Sequence, residues 1–345
     1  MRSSTASLRP LAFALLLAGA LAFSGSPAHA QEDADDGLAG ALDDVGEEYG
    51  RRYVQPLVNA AGADLNSGFF HKASVGGGLL PLVDVYVGVK AFGSLVPESD
   101  QSLSLRYQTQ QEVTYDGETY DADVTYDIDE APTVFGEQEP GEVTGTATFE
   151  TDDGQQRTQE TSLDLLPGVY ETSIVPLATP QVGVGLPMIG THVSVRYLPS
   201  ISYQDVGSLQ FAGAGLRHEV SSYIPLLPLG LSAYGFYQNL SVEEDNAGKV
   251  LDLSAYALGV AASKSFLVAT VYGGLQYERT AADVAYTFDP PGEAGGTRSI
   301  DFGLTGASSF RALAGVSVGL GPAVLSVDLS QGERTVLSAG LGISL

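Results

Sequence analysis

Beyond residue 30 of this 345-residue chain only three histidines occur, His71, His192 and His218, and there is no cysteine at all. A Ser-His-acid hydrolase needs one such histidine beside a serine and a carboxylate. His192 is the best placed, because it alternates with Ser194 and Arg196 on the polar side of a strand-like segment. No Gly-x-Ser-x-Gly elbow, His-Glu-x-x-His pair or phosphate loop accompanies it, so the chain is not expected to be an enzyme. The lack of cysteine excludes disulfides, thiolate metal sites, cysteine nucleophiles and lipoprotein acylation. Asp121-Ala122-Asp123 and Asp127-Ile128-Asp129-Glu130 gather carboxylates as a hard cation would want. Neither has the calcium-loop spacing, and a solvated acidic face is the expectation, with no metal and no cofactor. The remaining candidates are charges of both signs on the polar faces of alternating segments: Asp84, Lys90, His192, Arg196, Asp252, Arg311 and Asp328. Inside a barrel such residues line the lumen. They either seal a narrow one by cross-lumen ion pairs or border a pore in a wide one.

The elements that would carry them have a period of two. Val83, Val85, Val87, Val89 and Ala91 alternate with Asp84, Tyr86, Gly88, Lys90 and Phe92. After residue 178 the pattern returns repeatedly, for example at Val193, Val195 and Tyr197, at Leu267 to Tyr277 and at Phe310 to Val318. Leu251, Leu253, Ala255 and Ala257 oppose Asp252, Ser254, Tyr256 and Leu258, with the polar set taken as the lumen side. The last segment is the most regular, Leu337, Ala339, Leu341, Ile343 and Leu345 against Ser338, Gly340, Gly342 and Ser344. A chain that stops on such a strand leaves a bare edge unless the sheet closes. Simple alternation gives about ten strands. The fold class expected is therefore all-β, a transmembrane antiparallel up-and-down β-barrel of 10–14 strands with a short helical N-terminal extension.

The upper limit depends on residues 96–178, which hold 19 acidic residues against Arg106 and Arg157. Two hairpins are legible there, turning at Asp116-Gly117 and at Asp152-Asp153-Gly154. They either join the wall as four more strands or form an acidic extracellular insertion that caps it. Residues 179–345 carry 13 acidic and 8 basic side chains, a nearly balanced set. The whole chain stands at −26, which disfavours nucleic acid as a partner.

Residues 1–30 read as a cleaved signal peptide, with Arg2 and Arg9 before the apolar run Leu11 to Phe23 and Ala28-His29-Ala30 at the cleavage site. In residues 31–70, Leu38, Leu42, Val45, Tyr49, Tyr53 and Leu57 recur at helical spacing. This segment is a plug, a periplasmic helix or an acidic linker, and residues 71–345 are assigned to the barrel.

Several short blocks carry a resemblance. They are Gly62-Ala63-Asp64-Leu65-Asn66-Ser67-Gly68-Phe69, Ala131-Pro132-Thr133-Val134-Phe135-Gly136, Thr179-Pro180-Gln181-Val182-Gly183-Val184-Gly185-Leu186, Val195-Arg196-Tyr197-Leu198-Pro199, Gly213-Ala214-Gly215-Leu216-Arg217-His218 and Tyr223-Ile224-Pro225. In that order they resemble an uncharacterised outer-membrane barrel family of Bacteroidota-type bacteria. That family is in turn distantly similar to the long-chain fatty-acid and aromatic-hydrocarbon transporters. The resemblance implies an outer-membrane location and a passive channel or transporter for small molecules, hydrophobic ones included. The alternative is a non-conducting structural or interaction barrel with an acidic external cap. The partners expected are outer-membrane lipid, the barrel-assembly machinery acting on the C-terminal strand, and a small-molecule solute. The chain departs from the usual pattern in ending on Leu345 and in lacking Trp, so an interfacial girdle has to be built from Tyr and Phe.

Overall fold

A computed structural model describes residues 34–76, 80, 82–139, 141–170, 172–203, 207–224, 227–244, 248–288, 298–306 and 309–345. The signal-peptide reading of residues 1–30 and most of the connector 289–298 lie outside the described residues. A helix, α1 (Ala34–Leu65), precedes β1 (Asp84–Leu95). Then come β2 (Ser102–Tyr115), β3 (Glu118–Pro132), β4 (Gly141–Glu150) and β5 (Gln156–Leu165). They are followed by β6 (Ile174–Leu186), β7 (Thr191–Tyr203), β8 (Gly207–Glu219), β9 (Gly230–Glu244) and β10 (Gly248–Phe266). The last are β11 (Ala269–Phe288), β12 (Arg298–Thr305), β13 (Ser309–Leu320), β14 (Ala323–Gln331) and β15 (Thr335–Ser344).

Ten of these strands close into one antiparallel ring, in the order β1, β6, β7, β8, β9, β10, β11, β13, β14, β15. The seam is β1 against β15, running from Tyr86↔Ser344 to Ser94↔Val336. Val85 and Leu345 exchange two backbone hydrogen bonds of 3.1 and 2.8 Å beside it. Closure thus removes the edge that the regular last strand would leave bare. β12 is not in the ring; it pairs only with the outer half of β11, from Ala281↔Thr305 to Phe288↔Arg298.

The four strands between β1 and β6 form a separate sheet, β2-β3-β4-β5. Its first turn puts Asp116 at φ 54° and Gly117 at φ 87°, the two left-handed residues that a tight hairpin requires. Ala122, Val124, Tyr126 and Ile128 are buried while Asp121, Asp123, Asp127 and Asp129 are exposed. The acidic alternation is therefore the outer face of a small cap. The inner face packs on Tyr49, Tyr53, Leu57 and Val58 of α1 in one continuous apolar core.

The two ends of the ring differ. At one, the turn end, three connections are brief, Pro187–Gly190, Leu267-Val268 and Gly321-Pro322, and a fourth, between Glu219 and Gly230, has ten residues. At the other, the far end, lie the cap, α1 and the β11–β12 extension.

Between the ends the outer surface is apolar, with Val87, Val184, Val195, Leu258, Val260, Leu275, Val327 and Leu341 all exposed. Tyr197, Tyr237, Tyr256, Tyr277 and Phe310 stand on its far border, and Tyr237 is the registered partner of Tyr256 as Tyr277 is of Phe310. Phe266, Tyr223 and Met188 are exposed at the turn border. Along β10 the span from Tyr256 to Phe266 is eleven residues, which matches the roughly 9–11 residues that a tilted strand needs to cross lipid. A belt flanked by aromatics is what lipid selects on a barrel surface.

Past the tyrosines the polarity reverses. On β11, Gln276, Glu278 and Thr280 point inward below it, whereas Ala282 and Val284 are the inward residues above it. Outside, Leu275 and Tyr277 give way to exposed Arg279 and Asp283. Above the belt the strands surround the dry core under α1 and face water outside, so apolar residues turn in. This reversal corrects the placement of Asp252. Leu251 and Leu253 point inward and are fully buried, and Asp252 lies outside the wall, bound to Lys249 Nζ at 2.6 Å and Asn239 Nδ2 at 2.5 Å.

Candidate functional site

The inward faces of the ten strands converge on the segment just after α1. The helix ends with Asn66 N–H donating to Gly62 at 3.0 Å and Ser67 N–H to Asp64 at 3.0 Å. Gly68, at φ 58°, then turns the chain down the lumen. This left-handed position suits glycine, and a Cβ there would also meet the Phe92 ring at 2.6 Å.

The backbone of this segment is held by side chains of the wall. Gln238 Nε2 donates to the Leu65 carbonyl, and Gln276 Nε2 to that of Asn66 at 2.7 Å. Arg196 Nη1 donates to the Ser67 carbonyl at 3.2 Å and its Nη2 to that of Gly68 at 2.6 Å. Gln181 Nε2 donates to the Phe69 carbonyl at 3.1 Å. Arg217 reaches the carbonyls of Lys72 and Ser74. At the turn end, Val75 N–H donates to Glu219 Oε2 at 2.6 Å and Gly76 N–H to Asp84 Oδ2 at 3.2 Å. An irregular segment has no backbone partners of its own, and each unmet buried group would cost about 1–3 kcal/mol. The wall supplies those partners one by one. Residues 66–76 are therefore a plug.

Most of its side chains are engaged too, although the buried Asn66 Oδ1 has no hydrogen-bond partner among the described residues. Phe69 stacks on Phe236 at 4.7 Å, and Phe70 meets Tyr234 edge-on at 5.1 Å. The Arg196 guanidinium lies between Phe69 and Phe92, 4.5 and 4.6 Å from their centroids. Room for Phe69 comes from Gly215, where a Cβ would sit 2.4 Å from the ring. Lys72 Nζ pairs with Asp84 Oδ2 at 2.9 Å, and Ser344 Oγ donates to Asp84 Oδ1 at 3.0 Å.

The rest of the lumen is cross-linked in the same way. Arg311 forms a two-pronged ion pair with Glu278 at 2.8 Å on each prong, both side chains being buried. Tyr272 OH donates to Asp328 Oδ2 at 2.9 Å, and Lys90 Nζ to Ser326 Oγ at 2.9 Å. His192 Nδ1 lies 3.2 Å from Ser194 Oγ, with both residues buried.

Of the residues proposed from sequence, Asp84, Lys90, His192, Arg196, Arg311 and Asp328 thus sit in the lumen, and Asp252 does not. Sequence reasoning missed Arg217, Glu278, Gln181, Gln238 and Gln276. Their signal was present, because Gln276 and Glu278 interleave with Leu275 and Tyr277, as Arg217 follows Leu216. Among the described residues, the cavity beside Phe69, Phe70, Tyr272 and Asp328 measures about 20 Å³. That is little more than one water molecule needs.

A closed antiparallel ring with a lipid-matched belt and a packed polar interior defines a β-barrel of the outer-membrane kind. The chain belongs to the DUF6588 family, a family of unknown function whose profile matches residues 8–345. No curated protein matches it significantly. Among solved structures it is similar to the transport unit of the autotransporter AIDA-I from Escherichia coli, at 11% identity and a TM-score of 0.29, covering 85% of this chain and 98% of that one. It is similar also to OmpT of Vibrio cholerae in its trimer form, at 11% identity and TM-score 0.23, covering 76% and 99%. A third is the translocator domain of NalP from Neisseria meningitidis, at 12% identity and TM-score 0.24, covering 90% and 97%. At these scores the likeness carries no argument about activity, and the fold rests on the strand pairing itself. Neither a Bacteroidota-type origin nor likeness to fatty-acid transporters is among these findings.

Proposed function

We propose that this protein is a non-conducting barrel of the outer membrane that presents α1 and the acidic sheet β2–β5 as an interaction surface. The observation that carries this reading is the plug, whose backbone from Leu65 to Gly76 is bonded to the wall along its length. A conduit for solutes would need this network to open, at a cost spread over many buried hydrogen bonds. The far-end cap has the make-up of a water-facing surface, with carboxylates out and a single apolar core within. The channel suggested by the sequence resemblance is the competing outcome. Liposome swelling separates the two. The full chain should leave vesicles loaded with small sugars as tight as empty ones, and a chain lacking residues 34–74 should swell if it retains heat-modifiable gel mobility. Swelling by the full chain would favour the channel. Catalysis has no part in this reading, and unchanged hydrolytic assays on His192→Ala would accord with that.

A further inference from the structure

We propose that the N-terminal helix reaches the outer face through the lumen of its own barrel, and that residues 66–76 are the tether that remains after passage. This rests on the display reading above and adds a route to it.

The direction of the chain carries the inference. α1 packs at the far end, where Tyr53 OH donates to the Pro167 carbonyl at 2.7 Å and Gln55 Nε2 to the Thr305 carbonyl at 3.2 Å. Ten residues after the helix, Val75 and Gly76 are bound to Glu219 and Asp84 at the turn end. The chain has thus crossed the full height of the wall once, through the middle, before β1 begins. The ten wall strands then return it to the turn end, where Leu345 pairs with Val85. One threaded crossing plus an even number of wall crossings puts α1 and Leu345 on opposite sides of the membrane. Brief connections mark the periplasmic side of outer-membrane barrels and long ones the outside. The longest connection, the insertion between Leu95 and Ile174, lies at the far end, although those after β7, β9 and β14 are brief there too. By that longest connection the turn end is periplasmic and α1 is external.

The calibre of the passage fits. Within the belt the lumen is filled by this one irregular strand, with about 20 Å³ left beside it, and the N-terminal segment passes in the same extended form and coils into α1 only at the far end. The residues at the lumen mouth are small. A Cβ at Gly62 would meet Thr280 at 2.6 Å. At the far end waits a surface that only α1 completes. Val124, Tyr126 and Phe149 of the cap share one core with Tyr49, Tyr53 and Leu57. Folding there makes passage one-way, with no energy source other than burial of that face.

The chain has no cysteine, so single thiols report location cleanly. Glu48→Cys on α1, Thr119→Cys on the cap and Met188→Cys on a periplasm-side turn, 84% exposed, are treated with a membrane-impermeant maleimide carrying a mass tag. Each variant is first checked for heat-modifiable mobility, and Arg52→Cys substitutes for Glu48→Cys if the latter fails to assemble. A Ser67→Cys/Ser330→Cys pair, whose Oγ atoms are 3.3 Å apart, reports the tether by disulfide formation. The expected result is complete tagging at 48 and 119 in intact cells, tagging at 188 only after permeabilisation, and the 67–330 disulfide in the same cells. Absence of the disulfide with 48 and 119 both tagged would overturn threading and leave display standing, and tagging at 119 but not at 48 would overturn threading and the display of α1 with it. Tagging at 188 but not at 119 would overturn both.

Discussion

Arg196→Ala should unseat the plug without dissolving the barrel. The guanidinium donates to the carbonyls of Ser67 and Gly68, to Gln181 Oε1 at 3.0 Å and to Gln238 Oε1 at 3.1 Å, and it is held between two phenylalanine faces. Removing a buried charged donor from such a network costs about 3–5 kcal/mol, much of it the desolvation of the acceptors left behind. Two of those acceptors belong to the plug and the other two to glutamines of the wall. Water can enter the vacated space and recover part of the loss, so the lower figure is the safer one. At about 1.4 kcal/mol per factor of ten, 3 kcal/mol raises the population of the open plug roughly a hundredfold. The wall itself keeps its ladders and belt. The assay is the rate at which Ser67→Cys, buried in the parent, reacts with a small maleimide in detergent-solubilised, folded protein. The double variant Ser67→Cys/Arg196→Ala should react about a hundred times faster at unchanged heat-modifiable mobility. Rates equal within a factor of two would refute the reasoning, because the arginine would then not be what holds the backbone.

Three further outcomes are expected. Burial pushes the Tyr49 hydroxyl up to about 12, against a smaller opposing effect from the Leu166 N–H, and pushes Tyr53 up as well. A raised tyrosine favours the folded state at every pH below about 10 and loses that contribution as pH climbs toward 12. Near-ultraviolet circular dichroism should therefore show α1 and the cap loosening over that interval, later in Tyr49→Phe. A signal flat to pH 12 would contradict it. On the outer face of β11, Leu275→Arg lies within the belt and should cost assembly about 2–4 kcal/mol, whereas Ala281→Arg, above the tyrosines, should cost about 0–1 kcal/mol. Equal losses in urea-titrated refolding into vesicles would misplace the membrane border. Gly68→Ala puts a side chain at φ 58° and against Phe92. It should destabilise the plug by about 1–3 kcal/mol, seen as faster thiol labelling at position 67, while Gly117→Ala at the open cap turn should leave that rate alone.

Much of the wall was legible because a strand shows its two faces to two solvents. Val87, Val89 and Leu341 against Lys90 and Gly340 set both the strands and their sides. Alternation alone does not say which side faces in, however, and β10 shows the consequence. Its period of two runs unbroken from Phe266 past Tyr256, but lipid lies outside only part of it. Asp252 therefore went to the wrong face although its strand was right. The hairpins at residues 107–128 and 143–166 were visible from their turns. That they form their own sheet depends on the apolar face offered by α1, a contact between segments far apart in sequence. The plug was least visible. Residues 66–76 have neither period, since their backbone bonds go to Arg196, Arg217 and three glutamines of the wall, and such partners leave no local pattern. Only the polar members of the alternating sets hinted that the lumen had something to hold.

The central claim is that the lumen is shut in the resting protein. Its most direct test is single-channel recording of the full chain, folded and inserted in a planar bilayer at high salt. The packed plug, with a cavity of about 20 Å³ beside it, predicts a silent membrane despite insertion verified by protease protection. Stable, stepwise currents from that same folded protein would contradict it.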